Sequence, residues 1–160
     1  YVISASSIEW QDVQPKDFIS STVVMPNILD IDGFDVTVKG TTNKIVLTPG
    51  EDKDDSSTYT ATLNGASIDM DQCRSYLQLL MITNATDIYT GEIKGTEQMS
   101  IVYHYKNGTT ATVRFYVDEE NTTYITVNDT GKFIGRVGLI NKVASETEKL
   151  KNGETVDIDW

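Results

Sequence analysis

The run Tyr59-Thr-Ala-Thr-Leu-Asn-Gly-Ala-Ser-Ile-Asp-Met-Asp-Gln-Cys-Arg-Ser-Tyr-Leu-Gln-Leu-Leu-Met81 is the most legible part of this 160-residue chain. Tyr59 to Leu63 reads as a strand, Asn64-Gly65 as a tight turn, and Ala66 to Ile68 as a short apolar return. The remainder has the pattern of an amphipathic helix. Asp69 stands where an N-cap is wanted, because its carboxylate can accept from the free amides of the first turn. Asp71 adds negative charge at the positive end of the helix dipole. Cys73, Tyr76, Leu77 and Leu80 fall at i, i+3, i+4 and i+7, which places them on one buried stripe.

About 65 residues further on much of this recurs as Tyr124-Ile-Thr-Val-Asn128, Lys132-Phe-Ile134 and a helix expected from Gly138 to Leu150. Self-similarity at a fixed spacing marks repeated supersecondary units. The chain therefore reads as one compact domain with an N-terminal wrapping or edge segment (1–33) and two similar β-β-β-α halves (34–90 and 91–160). Hairpin-linked strands imply antiparallel sheet with the helices on one face, so the class is α+β.

Around these landmarks, Tyr1 to Ile3 and Thr22 to Met25 are candidate short strands, and Pro15 to Ile19 a candidate helical turn. Phe34, Val36 and Val38 alternate with polar residues as in a half-buried strand. Gly40 to Asn43 would turn the chain into a return strand at Lys44 to Thr48. The Asp-rich segment from Pro49 to Ser57 is a solvent loop, and Glu154 to Trp160 a candidate closing strand. The second half opens on Met99 to Lys106, then Asn107-Gly108, then Thr109 to Val117. Asn-Gly between two strands favours a type I′ turn. That register would set Val102 opposite Val113, His104 opposite Ala111 and Tyr103 opposite Thr112. Val102, Val113, Phe115 and Val117 would then face the helices. Met99, Ile101, Tyr103, Tyr105, Arg114 and Tyr116 would share the other surface. Tyrosine and arginine dominate contact hot spots, so Tyr103, Tyr105, Arg114 and Tyr116 form the candidate partner surface, the alternative being a face covered by the N-terminal segment.

The net charge of -11 and the pI near 4.4 argue against nucleic acid, which needs clustered Lys and Arg. The acidic excess keeps the protein soluble and off anionic surfaces. Cys73 is the single cysteine, so no internal disulfide can form. No apolar run reaches the length of a membrane span. The sequence opens on Tyr1 rather than Met, which points to a segment removed upstream.

The run from Leu63 to Leu80 resembles the helix-opening pattern of the bacterial domain of unknown function 4340 family. So does the succession Val102-Tyr-His-Tyr-Lys-Asn-Gly, Val113-Arg-Phe-Tyr-Val, Tyr124-Ile-Thr-Val-Asn and Lys132-Phe-Ile. The similarity covers roughly residues 30 to 153. It implies a location outside the cytoplasmic membrane behind an N-terminal anchor helix, which this chain lacks. It also implies company with ABC-type transport components, including those linked to gliding motility. It brings no catalytic residues.

Catalytic chemistry finds little footing. His104 is the only histidine, which excludes a His-His metal pair and works against a histidine triad. It reads as a partly exposed structural residue. Cys73, on an apolar helix stripe, reads as a small buried hydrophobe rather than a nucleophile. The clusters Asp30-Ile-Asp-Gly-Phe-Asp35 and Glu51-Asp-Lys-Asp-Asp55 lack the glycine and glutamate positions of a calcium hand. Gly131-Lys-Phe-Ile-Gly135 lacks the spacing of a phosphate loop. No catalytic, metal or cofactor-binding residue is assigned, and no cofactor is expected. The reading is a non-enzymatic, extracytoplasmic interaction or accessory domain, a monomer tethered to a bacterial envelope and linked to a transport complex. The alternatives are a cytoplasmic location and a module binding a sugar, peptide or lipid. A hydrolase with paired carboxylates is the weakest option.

Overall fold

The computed structural model describes residues 23–81 and 85–159. Its elements run β1 (Ile31–Val38), β2 (Thr41–Thr48), β3 (Thr60–Leu63), β4 (Ala66–Ile68), α1 (Met70–Met81), β5 (Ala85–Ile88), β6 (Thr96–Tyr105), β7 (Thr110–Val117), β8 (Thr123–Val127), β9 (Gly131–Gly135) and α2 (Leu139–Asn152). The nine strands make one antiparallel sheet in the order β4-β3-β2-β1-β6-β7-β8-β9-β5. The class is α+β. Four strands, not three, precede α1, and five lie between α1 and α2. After α1, β5 lies at the edge of the sheet far from β4, beside β9.

The helices share one face of the sheet. Phe34, Val36, Ile45, Leu47, Ile101, Tyr103, Val113, Phe115 and Ile125 point into a core with Tyr76, Leu80, Val143 and Leu150. Phe34 stacks on Tyr76 of α1 and packs against Tyr103 of β6, with ring centroids 6.4 and 6.2 Å apart. Across the helix pair the Tyr76 hydroxyl and Thr147 Oγ1 lie 2.6 Å apart, in hydrogen-bond contact. Asp69 caps α1 by accepting from the Gln72 amide at 2.9 Å, and the stripe Cys73, Tyr76, Leu77, Leu80 is buried. Asn152-Gly153 ends α2. Gly153 takes a left-handed φ of 71°, and the Glu154 amide reaches back to the Lys149 carbonyl, the Schellman closure.

Several expectations are corrected. The β1–β2 turn is Lys39-Gly40, with φ of 50° and 75°, so the return strand starts at Thr41 rather than Lys44. Residues 154–159 form no strand. Val156 is buried beside α1, its amide donating to Gln72 Oε1 at 2.8 Å. Val23 to Met25 is not a strand either. The readings at Tyr1 to Ile3, Pro15 to Ile19 and Thr22 lie outside the described residues.

The largest correction concerns the second hairpin. Asn107 does not take positive φ; Gly108 alone does, at 83°. The loop has three residues, Lys106-Asn107-Gly108, closed by the Tyr105 amide donating to the Thr109 carbonyl. This is the pattern of a turn followed by a glycine bulge. The register moves by one: Tyr103 pairs with Ala111, Ile101 with Val113, Met99 with Phe115, and His104 with Thr110. A one-residue slip exchanges the faces. The cause is tertiary. The Lys106 amide donates to the Asp30 carbonyl at 2.9 Å and its Nζ to the Tyr59 hydroxyl at 2.7 Å, so Lys106 leaves the ladder.

Candidate functional site

This register divides the expected partner surface. Tyr103 is 1% exposed in the core, where burial pushes its phenol above the usual range. Tyr105 is half-buried on the same helix-facing side, packed against the core. Arg114 and Tyr116 lie on the opposite face. The four residues therefore form two pairs on two faces.

On that outer face the cross-strand pairs line up in rows. One row runs Thr42, Thr37, Ser100, Arg114, Thr126 and Lys132 across six strands. Its Thr37 and Thr42 hydroxyls are 2.8 Å apart. Arg114 is held at both ends of its guanidinium: Nη1 donates to Glu97 at 3.1 Å and Nε to Asp129 at 3.2 Å. Partial desolvation works against its charge, and the two carboxylates overcome this, so the pKa rises. Tyr116 pairs across strands with Tyr124, whose ring lies 4.9 Å from that of Tyr89. A neighbouring row brings Lys44, Asp35, Val102 and Thr112 together.

His104 lies next to this row and lies 3.0 Å through Nε2 from Asp35 Oδ2, both half-exposed. A strand pattern could show that His104 was near a turn. It could not show Asp35 as its partner, because the β1–β6 pairing joins residues 69 positions apart. A carboxylate that orients an imidazole is half of a general-base device. Among the described residues no hydroxyl or thiol hydrogen-bonds to His104. Cys73 is fully buried, and desolvation raises its thiol to about 12 despite nearby Arg74, so it stays protonated. Among the described residues no group of three or more His, Cys, Asp or Glu side chains is placed to hold a metal ion. The loop carboxylates serve the backbone instead: Asp52 accepts from the Asp54 amide, and Asp55 from the Ser57 amide.

A second feature lies at the end of the sheet. A cleft of about 600 Å³ opens between the β1–β2 turn, the start of β6, the β7–β8 turn and the first turn of α2. Gly95 forms part of its floor: a Cβ there would come within 2.0 Å of the Val117 carbonyl oxygen. The register break between Glu97 and Met99 leaves Gln98 as an extra residue lining the cleft, as bulges commonly re-aim a side chain. Asp118 frames the β7–β8 turn. It accepts from the Thr122 and Glu120 amides at 2.8 and 3.0 Å and from the Tyr124 hydroxyl at 2.9 Å. These bonds, the Thr122 amide foremost, hold its carboxyl below the usual range. A groove of about 320 Å³ shares Gly95, Asp118 and Glu119 with the cleft.

No protein-family model, curated protein or solved structure matches the chain. Among the described residues no helix is long and apolar enough to cross a membrane.

Proposed function

We propose that this protein is a non-enzymatic interaction domain that presents the outer face of its sheet to a protein partner. The observation that carries the reading is Arg114, fixed between Glu97 and Asp129 with Tyr116 two residues along the same strand face. A guanidinium held rigid on a sheet loses little entropy on binding, and arginine and tyrosine dominate interface energetics. His104, Asp35 and Lys44 extend the polar rim. The site comprises Arg114 and Tyr116 rather than the four residues expected from a two-residue turn.

An extracytoplasmic location, a membrane anchor upstream of Tyr1, and service to an ABC-type transport complex follow from the resemblance to the domain of unknown function 4340 family. They belong to the proposal on that ground. Two related halves also belong to it, β1–β4 with α1 and β6–β9 with α2, β5 standing outside the repeat. The support is a matched pair of hydrogen bonds. The Asn64 amide donates to the Lys44 carbonyl while its Oδ1 accepts from the Lys44 amide. Asn128 makes the same two bonds with Thr112. Both asparagines have left-handed φ, 52° and 48°.

The test is photo-cross-linking in the native host, with a cross-linking residue at Thr112 or Tyr116 and a control at Glu148 on the exposed side of α2. Capture of one defined membrane-fraction protein from the outer-face positions alone supports the reading. Equal capture from Glu148, or recovery only from the cytosol without a partner, overturns it.

A further inference from the structure

The cleft at the end of the sheet is separate from the outer face and has its own chemistry. Lys39 enters it from the β1–β2 turn and Glu119 from the β7–β8 turn, both exposed. Among the described residues neither takes part in a side-chain hydrogen bond or ion pair, unlike Asp118 beside them. Among the described residues the cleft thus holds one unpaired positive and one unpaired negative charge on different elements. The carboxamides of Gln98, whose Nε2 also donates to Thr96 Oγ1, and of Asn141 line the same cleft, and each can donate and accept. Val117 and Ile140 supply a small apolar floor. About 600 Å³ lies within the range of small-ligand sites, and the adjoining groove lengthens it past Glu119.

These features select among ligand classes. Among the described residues no aromatic side chain lines the cleft, so a sugar finds no ring there to stack on. The two aliphatic residues among them are too few to receive an acyl chain. A peptide backbone alternates donors and acceptors, which carboxamides match, and a free peptide carries a charge at each end. We propose that the cleft binds a short, unblocked peptide, its carboxylate at Lys39 and its ammonium at Glu119. This site does not rest on the partner-surface reading and can stand or fall without it.

Isothermal titration of the full chain with a panel of unmodified tripeptides tests the proposal, together with N-acetylated and C-amidated versions, a chito-oligosaccharide and a lysolipid. Both charged residues are exposed, so Lys39→Met and Glu119→Gln keep the fold, which circular dichroism verifies. The expected result is saturable binding of an unmodified tripeptide, weakened about tenfold by either blocking group. Lys39→Met should then bind weakly and no longer distinguish acid from amide. Glu119→Gln should no longer distinguish amine from acetamide. Absence of binding across the tripeptides overturns the proposal, as does preference for the saccharide or lysolipid. Equal sensitivity to both blocking groups in the two variants also overturns it.

Discussion

Asn-Gly occurs three times in this chain and is used in three ways. At Asn64-Gly65 both residues take left-handed φ, and a two-residue turn joins Leu63 directly to Ala66. At Asn107-Gly108 only the glycine does, and Lys106 is drawn into a three-residue loop. At Asn152-Gly153 the glycine closes a helix. The two hairpins show what separates them. Asn64 is locked to the adjacent strand by a pair of bonds with Lys44, which fits the type I′ geometry. Asn107 turns its side chain onto Thr109, while Lys106 is claimed by Asp30 and Tyr59. A turn dipeptide states a preference worth about 1 kcal/mol or so, and a few long-range hydrogen bonds of similar size can override it.

The sharpest break of this comparison is at Tyr103 and Tyr116, which a type I′ turn would set on one surface. In the observed register Tyr103→Ala empties the core and should cost about 3–5 kcal/mol, whereas Tyr116→Ala should cost about 1 kcal/mol or less. Urea denaturation of the two variants measures this. Equal, small effects would restore the type I′ register. Next in size are the turns themselves. Asn64→Ala forces an alanine into left-handed φ and unties Lys44, for about 2 kcal/mol. Asn107→Ala loses only bonds to Thr109, for about 0.5 kcal/mol in an exposed turn. Thermal melts that rank them the other way would contradict the assignment of the turns. An effect of the same small size is expected from Lys106→Met. It removes the bond to Tyr59 and the ammonium 5.0 Å from that ring and should cost about 0.5–1 kcal/mol.

The helices extend the comparison to pH. α1 buries a neutral thiol, and α2 buries the carboxylate of Glu146, 2% exposed. Burial opposes the charge on Glu146. The Asp157 amide, Lys149 and Lys142 outweigh it and hold the carboxyl below the usual range. A depressed folded-state pKa contributes stability that is complete above the unfolded value, near 4.5, and is lost as the pH falls below it. Wild-type protein should therefore lose stability on acidification more steeply than Glu146→Gln, as melting temperatures between neutral and acid pH would show. Parallel acid limbs would remove Glu146 from the account. Cys73, its thiol raised to about 12, should resist a disulfide reagent at pH near 8 until the fold opens. Modification of the native protein faster than its unfolding would show the thiol to be accessible.

Much of the fold was written in local pattern. The Asp69 cap, the Cys73-to-Leu80 stripe, the Asn64-Gly65 turn and the Gly153 helix stop each depend on residues a few positions apart. Short-range rules cover such spacings. The candidate site was not legible in this way. Asp35 meets His104, Arg114 meets Glu97 and Asp129, and the cleft draws residues from Lys39 to Asn141. The same limit explains β5, whose four residues carry no sign that they cross to the edge beside β9.

By itself the sequence determined the α+β class, the Asp69 cap, the Gly153 helix stop and the alternation of strands such as β1. The tertiary structure decided which side was buried in β6, and so which tyrosines are core and which are surface. The physical reason is that strand alternation has a period of two and is blind to phase. The phase was set by where Lys106 found its partners, Asp30 and Tyr59, more than forty residues away in sequence.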